Sequence, residues 1–311
     1  MPSNATPTVL CIGGSNIDRK LRLLGSLQLG TSNPARSPPE TPGGVARNVA
    51  ENLARLGFST RLVTAVGDDA AGQALLAQAA QLGLSTQGSL IASAAASDSY
   101  SAVLDQAGEM LLALSAMPLV DRLTPAQLVT ATLDQATLTV IDLNLPADSV
   151  ATLIEAARAH NSALLIVAVS APKLARLPQD LRGLQCLILN QSELRAAAPA
   201  QDTDAALLGL HARGVRQILV TSGPDGVICS ELGRAPQHLL PPAVAQIADV
   251  TGAGDAFAAG VCAGLLHPPP DLMQAARLGL QLAALTLQTE ATVHPGINPA
   301  WLAAHLETPR S

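Results

Sequence analysis

Asp249-Val250-Thr251-Gly252-Ala253-Gly254-Asp255-Ala256-Phe257 decides how the rest of the chain is read. It is polar, punctuated by glycine, and runs into Ala258-Ala259-Gly260-Val261-Cys262-Ala263-Gly264-Leu265-Leu266, which carries no charge. A helix apolar on every face is a buried helix. Its first turn then opens on a cleft, with the N–H groups of Gly252, Ala253 and Gly254 aimed outward. The positive end of the helix dipole lies there too, and such a terminus binds anions. Asp255 in the same turn adds a carboxylate able to take a hydroxyl proton beside donors that stabilise a migrating phosphoryl group. The bland alternative is an Asp that only balances the dipole. Two glycines and a wholly apolar helix favour the chemical reading over it.

The rest of the composition agrees with a large α/β enzyme. The chain has 311 residues, 48% of them hydrophobic and only 14% charged, which excludes a disordered chain. The aromatic residues are Phe58, Tyr100, Phe257 and Trp301, so the core must be Leu, Val, Ile and Ala. Stacking platforms for nucleic acid are nearly lacking. The net charge of −6, with no basic run, argues against a polyanionic partner. Cys11, Cys186, Cys229 and Cys262 stand far apart in apolar runs, as buried reduced thiols do. The polar start from Met1 to Pro7 predicts no signal peptide, and the apolar runs near 256–266 and 278–287 are too short or too interrupted to span a bilayer. A cytoplasmic protein that engages no membrane is expected.

Taken in order, Thr8 to Ile12 is a continuous apolar run ending at Gly13-Gly14, a buried strand of a parallel sheet. Ligands sit at the carboxyl ends of such strands. Asn16 and Asp18 follow directly, an amide and a carboxylate suited to vicinal hydroxyls, although an Asx-rich turn reads equally well. Residues 19–42 and 97–115 break the alternation of strand and helix. Arg19 to Leu23 reads as an exposed strand, and Ser99–Leu104 with Glu109–Leu114 as a hairpin. Paired together, the two excursions make a small β lid that excludes water from a phosphoryl transfer.

Between them, Val45, Val49, Leu53 and Leu56 share one helical face that Gly57 ends. Gly43-Gly44 at its start lets a ligand approach the backbone, or forms a hinge, and Asn48 lies one turn on. Thr60 to Val66 reads as a second strand. Strands and helices then alternate, which predicts a mostly parallel sheet covered on both faces. Polar residues recur at strand ends: Asn144, Asn190 with Glu193, and Thr221, the last followed by Ser222-Gly223-Pro224-Asp225-Gly226. Four such clusters, counting Asn16/Asp18, argue for one rim-lined site. There is no Gly-x-x-x-x-Gly-Lys-Ser/Thr, no Gly-x-Gly-x-x-Gly after the first strand and no Gly-x-Ser-x-Gly.

Gly43-Gly44, Asn48, Ala50, Gly57 and Gly67, together with the whole of Asp249 to Gly260, resemble the two signatures of the PfkB, or ribokinase-like, family of carbohydrate and nucleoside kinases. The resemblance runs over nearly the whole chain. It implies one ribokinase-like domain over 1–311: a three-layer α/β/α fold with a mostly parallel central sheet and the small β-strand lid. It also implies ATP as donor, Mg²⁺ as required ion, and a small sugar or nucleoside as acceptor. Asp255 would deprotonate the acceptor hydroxyl, while Gly252, Ala253 and Gly254 form the anion hole. Asn190 and Glu193 would handle Mg²⁺ and its phosphate shell, and the turn holding Thr221, Gly223 and Gly226 the nucleotide. A monovalent cation such as K⁺ near Asp249 and Val293 is a further option.

Thr31-Ser32-Asn33-Pro34, the hairpin around Ser99-Tyr100 and Asp142-Leu143-Asn144 are similar to family members that phosphorylate the 5′-hydroxyl of a ribosyl substrate, pseudouridine foremost. By that likeness Asn16, Asp18, Gly43, Gly44, Asn48 and Asn144 belong to the acceptor site, and Ser32 and Asn33 face the base. Val167-Ala168 and Ile188-Leu189 depart from the family pattern on the phosphate side. Another sugar or nucleoside kinase, or a sensor that binds without catalysing, are the alternatives. Free strand edges on the lid point to a homodimer formed through it.

Overall fold

The structure is a computed structural model that describes residues 7–128 and 136–306; the polar start read at residues 1–6 lies outside it. Eight strands form the central sheet: β1 (Thr8–Ile12), β5 (Ser59–Val63), β10 (Leu138–Asp142), β11 (Ala163–Val167), β12 (Cys186–Asn190), β13 (Gln217–Thr221), β14 (Val227–Glu231) and β15 (Gln237–Leu239). Their order is β15-β14-β13-β12-β11-β10-β1-β5. The strands from β13 to β5 run parallel, whereas β14 and β15 close one edge antiparallel. From β1 the chain goes outward to β5 on one side and later returns at β10 on the other. The switch in direction between β1 and β10 leaves a crevice at their carboxyl ends.

Alternate residues of each strand go to opposite faces, and the core divides accordingly. Val9, Cys11, Val140, Leu165 and Ile188 pack with helices α1 (Val45–Arg55), α7 (Ala253–Leu265) and α8 (Leu272–Thr286). Leu10, Ile12, Ile141, Ile166 and Leu189 pack with α4 (Ala147–His160), α5 (Gln191–Ala197) and α6 (Thr203–Ala212). Three layers result, as the run of continuously apolar strands requires. Helix α2 (Ala70–Gln81) and the short α3 (Pro125–Leu128) lie between these elements in sequence, and α9 (Pro299–Leu306) ends the described chain. On α9, Trp301 stacks on His305 with ring centroids 4.0 Å apart. Residues 256–264 of α7 are buried throughout, as their uniform apolarity dictates. All four cysteines are free and buried. Among the described residues no helix is long and apolar enough to cross a membrane.

The two excursions share one sheet. Strands β2 (Asn16–Leu23), β3 (Ala35–Arg36), β4 (Thr41–Gly43), β8 (Ser99–Leu104) and β9 (Met110–Ala116) form it, with β2 parallel to β8 and the β8–β9 hairpin antiparallel. Strand β2 begins at Asn16, not Arg19, so Asn16 and Asp18 stand in a strand and not in a turn. The strand expected over Thr60–Val66 breaks at Thr64, where β5 hands over to β6 (Ala65–Gly67), which pairs with β7 (Leu90–Ala92). Thr64 explains the break: its hydroxyl donates to the Gly13 carbonyl at 2.7 Å while its carbonyl accepts from Leu90 N–H at 2.8 Å.

Candidate active site

The start of α7 is the centre of the site. Gly252 caps the helix with φ 81°, a left-handed conformation that favours glycine. A Cβ there would also lie 2.1 Å from the Thr292 carbonyl oxygen. Gly254 is exposed and nothing lies within 4 Å of where its Cβ would be, so the first turn has open space before it. Its N–H groups are those a helix leaves without intrahelical acceptors.

Asp255 is partly buried beside that opening and accepts a hydrogen bond from Asn48 Nδ2 at 2.7 Å. Burial raises its carboxyl to about 7; Asp142 and Asp18 push the same way, against the Asn48 bond and Arg47. A carboxylate tuned near neutrality is suited to taking and returning a proton. The Asn48 amide is oriented in turn: its Oδ1 accepts from Arg47 Nη1 at 2.9 Å, which turns its NH₂ towards Asp255. Arg47 is 6% exposed and pairs with Glu51 one turn on. No motif pointed to Arg47; its signal was a charged residue in the first turn of the helix, followed by Glu51 and Arg55 at i+4 spacing.

Gly14, Ala46 and Asn144 all donate backbone N–H groups to Asp142, at 2.9, 2.9 and 2.8 Å. One buried carboxylate thereby ties together the end of β1, the start of α1 and the end of β10. Burial nevertheless raises its pKa. Asn16 Nδ2 donates to Asp18 Oδ1 at 2.6 Å. Gly43 leaves room for that carboxylate, since a Cβ on it would fall 2.2 Å from Asp18 Oδ2. Asn16, Asp18, Gly43, Gly44, Asn48 and Asp255 are thus linked in a chain of contacts around the β1–β10 crevice.

Three expected acceptor residues are placed differently. Asn144 is 2% exposed and its Oδ1 accepts from the Lys173 ammonium. Asn33 spends its amide within its own loop: Nδ2 donates to the Gln28 and Thr31 carbonyls at 2.8 and 3.0 Å, and Oδ1 accepts from Gln28 N–H at 2.8 Å. Ser32 beside it is exposed.

On the other side of the helix start is an apolar cleft of about 700 Å³. Thr221, Gly223, Gly226, Ala253 and Gly254 line it, so the expected nucleotide turn and two of the three expected anion-hole residues meet there. Leu240, Pro242, Ile247 and Val250, from a stretch without regular structure, form its outer wall. Apart from Val250, in the Asp249–Phe257 motif, nothing in the sequence marks that wall, because it has no periodicity. Asn190 pairs in register with Thr221 on the same rim. It forms a capping box with Glu193: Oδ1 accepts from Glu193 N–H at 2.9 Å, and Asn190 N–H donates to Glu193 Oε2 at 2.7 Å. Another unforeseen contact is Lys20 with Asp249, an ion pair from lid strand β2 to the turn that precedes α7.

The model of the pfkB family of carbohydrate kinases matches residues 6–299. Pseudouridine kinase of Escherichia coli is 30% identical over 299 residues, covering 94% of both chains. A solved carbohydrate kinase from Agrobacterium tumefaciens superposes with a TM-score of 0.81 at 30% identity, over 96% of this chain and 97% of that one. The ribokinase of Arabidopsis thaliana, solved with ribose and ATP, shares the fold with a TM-score of 0.79 at 19% identity, over 98% of this chain and 100% of its own. With its two glycine signatures joined through the Asn48–Asp255 hydrogen bond, this chain belongs to the pfkB family of sugar and nucleoside kinases, phosphotransferases that act on an alcohol group.

Proposed function

We propose that the chain transfers the γ-phosphoryl group of ATP to the 5′-hydroxyl of a ribosyl acceptor, pseudouridine first among them. The observation that carries this reading is the Asn48–Asp255 hydrogen bond, which joins the first glycine signature to the second at an open helix N-terminus. Asn16, Asp18 and Asn48 hold the ribose hydroxyls, with Gly43 and Gly44 bringing backbone close to them. Asp255 takes the 5′-hydroxyl proton as that oxygen bonds to the γ-phosphorus. The bond from the γ-phosphorus to the β–γ bridging oxygen breaks, and ADP leaves with the electron pair. The N–H groups of Gly252, Ala253 and Gly254 stabilise the charge on the moving group. Thr221, Gly223, Gly226 and Asn190 border the nucleotide, whose base enters the apolar cleft.

No group of three or more His, Cys, Asp or Glu side chains able to hold a metal occurs among the described residues. Mg²⁺ prefers phosphate and water oxygens with one or two carboxylates, and Glu193, the capping-box partner of Asn190, supplies one carboxylate. Asn190 and Glu193 would hold its shell, and the ion would neutralise phosphate charge.

A panel of acceptors with ATP tests the reading: pseudouridine should give the highest kcat/KM, and turnover of ribose with none of pseudouridine overturns the choice of acceptor. A sugar without a base is the second reading, favoured by the closed Asn33 loop, which leaves Ser32 alone to meet a base edge. Met110 and Leu114 on edge strand β9 are 60% and 63% exposed, a surface suited to pairing two lids in a homodimer. Sedimentation showing only monomer at micromolar concentration removes that part. A reducing cytoplasm suits four free buried thiols.

A further inference from the structure

Lys20 and Asp249 are 229 positions apart and meet in an ion pair, with side chains 23% and 21% exposed. Lys20 shares a face of β2 with Asn16 and Asp18, because side chains alternate along a strand. It therefore reaches inward from the lid. Asp249 uses both carboxylate oxygens: Oδ2 takes the Lys20 ammonium, while Oδ1 accepts from Thr251 N–H at 2.8 Å and Thr251 Oγ1 at 2.7 Å. Burial pushes the Asp249 carboxyl up, yet the Lys20 and Thr251 bonds outweigh it and hold the group below its ordinary value. The turn continues into Gly252, which lies against the Thr292 carbonyl next to Val293. A monovalent cation beside Asp249 and Val293, which the family resemblance leaves open, does not fit this donor set. A charge borne by the chain already occupies the carboxylate.

We propose that the Lys20 ammonium is the resident cation of this turn, so that lid strand β2, not K⁺, sets the first turn of α7 in place. Lys20 is a positioning residue, acting through Asp249 and Thr251. Its effect on turnover rests on the kinase reading; its occupation of Asp249 does not.

The experiment compares the native chain, Lys20→Met and Lys20→Arg in KCl and in choline chloride at equal ionic strength, following ATP turnover and thermal midpoint. The native chain should show the same turnover and midpoint in both salts. In choline chloride Lys20→Met should lose about tenfold in kcat, the scale of one charged hydrogen bond, with acceptor KM little changed. KCl should restore much of that loss and raise the midpoint of this variant alone. Lys20→Arg keeps the charge and should stay close to native. A native chain that itself gains turnover and thermal midpoint from K⁺ overturns the proposal. So does a Lys20→Met loss to which K⁺ makes no difference, or a Lys20→Met protein identical to native in choline chloride. If the native chain phosphorylates no acceptor, the kinase reading fails, and the midpoints alone decide whether Lys20 stands in for the cation.

Discussion

The two sides of the α7 start are built on opposite principles. On the proposed acceptor side, polar side chains are bonded to one another: Asn16 to Asp18, Arg47 to Asn48, Asn48 to Asp255. On the proposed nucleotide side, the wall is apolar and irregular, and Leu240, Ile247 and Val250 remain 72%, 58% and 70% exposed. A polar site rejects ligands that leave its groups unpaired, whereas an apolar slot tolerates anything flat enough to enter. Discrimination is therefore expected on the acceptor side and affinity by shape on the other.

The sharpest way to break this contrast is Asp255→Asn. It should lower kcat by about a thousandfold, the middle of the range for a general base. Acceptor affinity measured by calorimetry should survive; full activity in this variant would leave the proposed base without a role. Next in size, Asp18→Ala should raise acceptor KM by up to about a hundredfold through loss of charged hydrogen bonds. ATP KM should stay constant, and a rise in both would show that the two sides are not separable. Ala283→Phe, placed to fill the apolar cleft, should do the reverse, raising ATP KM about tenfold, the equivalent of roughly 1.4 kcal/mol, and sparing the acceptor.

The pH response sharpens the comparison from the same residue. With the Asp255 carboxyl near 7, acceptor kcat/KM should fall as pH drops below about 7. The folded-state value is raised, so the native chain binds this proton more tightly than the unfolded chain does. The resulting cost to stability is absent below the ordinary carboxylate range, grows as pH rises, and is complete above about 7. A shift of that size corresponds to roughly 4 kcal/mol at most. Asp255→Asn should accordingly raise the thermal midpoint at pH 8 and leave it little changed at pH 4, as calorimetry at the two values would show.

What could be read in advance follows from how far each signal reaches along the chain. The buried helix, the glycines before it and the alternation of apolar strands with helices are local patterns, and the three layers follow from them. Thr64 splits a strand through contacts with Gly13 and Leu90 that no local pattern encodes. Asn16 and Asp18 belong to a strand because of β4 and β8, which arrive later in the chain. The Asn33 amide looked free for a base, yet five residues away Gln28 takes it. Lys20 and Asp249 meet only once both sheets are assembled.

The stacked pair on α9 decides what light can reveal about this protein. Trp301 is its single tryptophan. Gly57, beyond the end of α1, lies against Pro299 of the same terminal helix, whereas the start of α1 stands at the crevice, about 16 Å away along eleven residues. Tryptophan emission thus reports on the end of α1 away from the crevice, so acceptor binding should leave it little changed where calorimetry records heat.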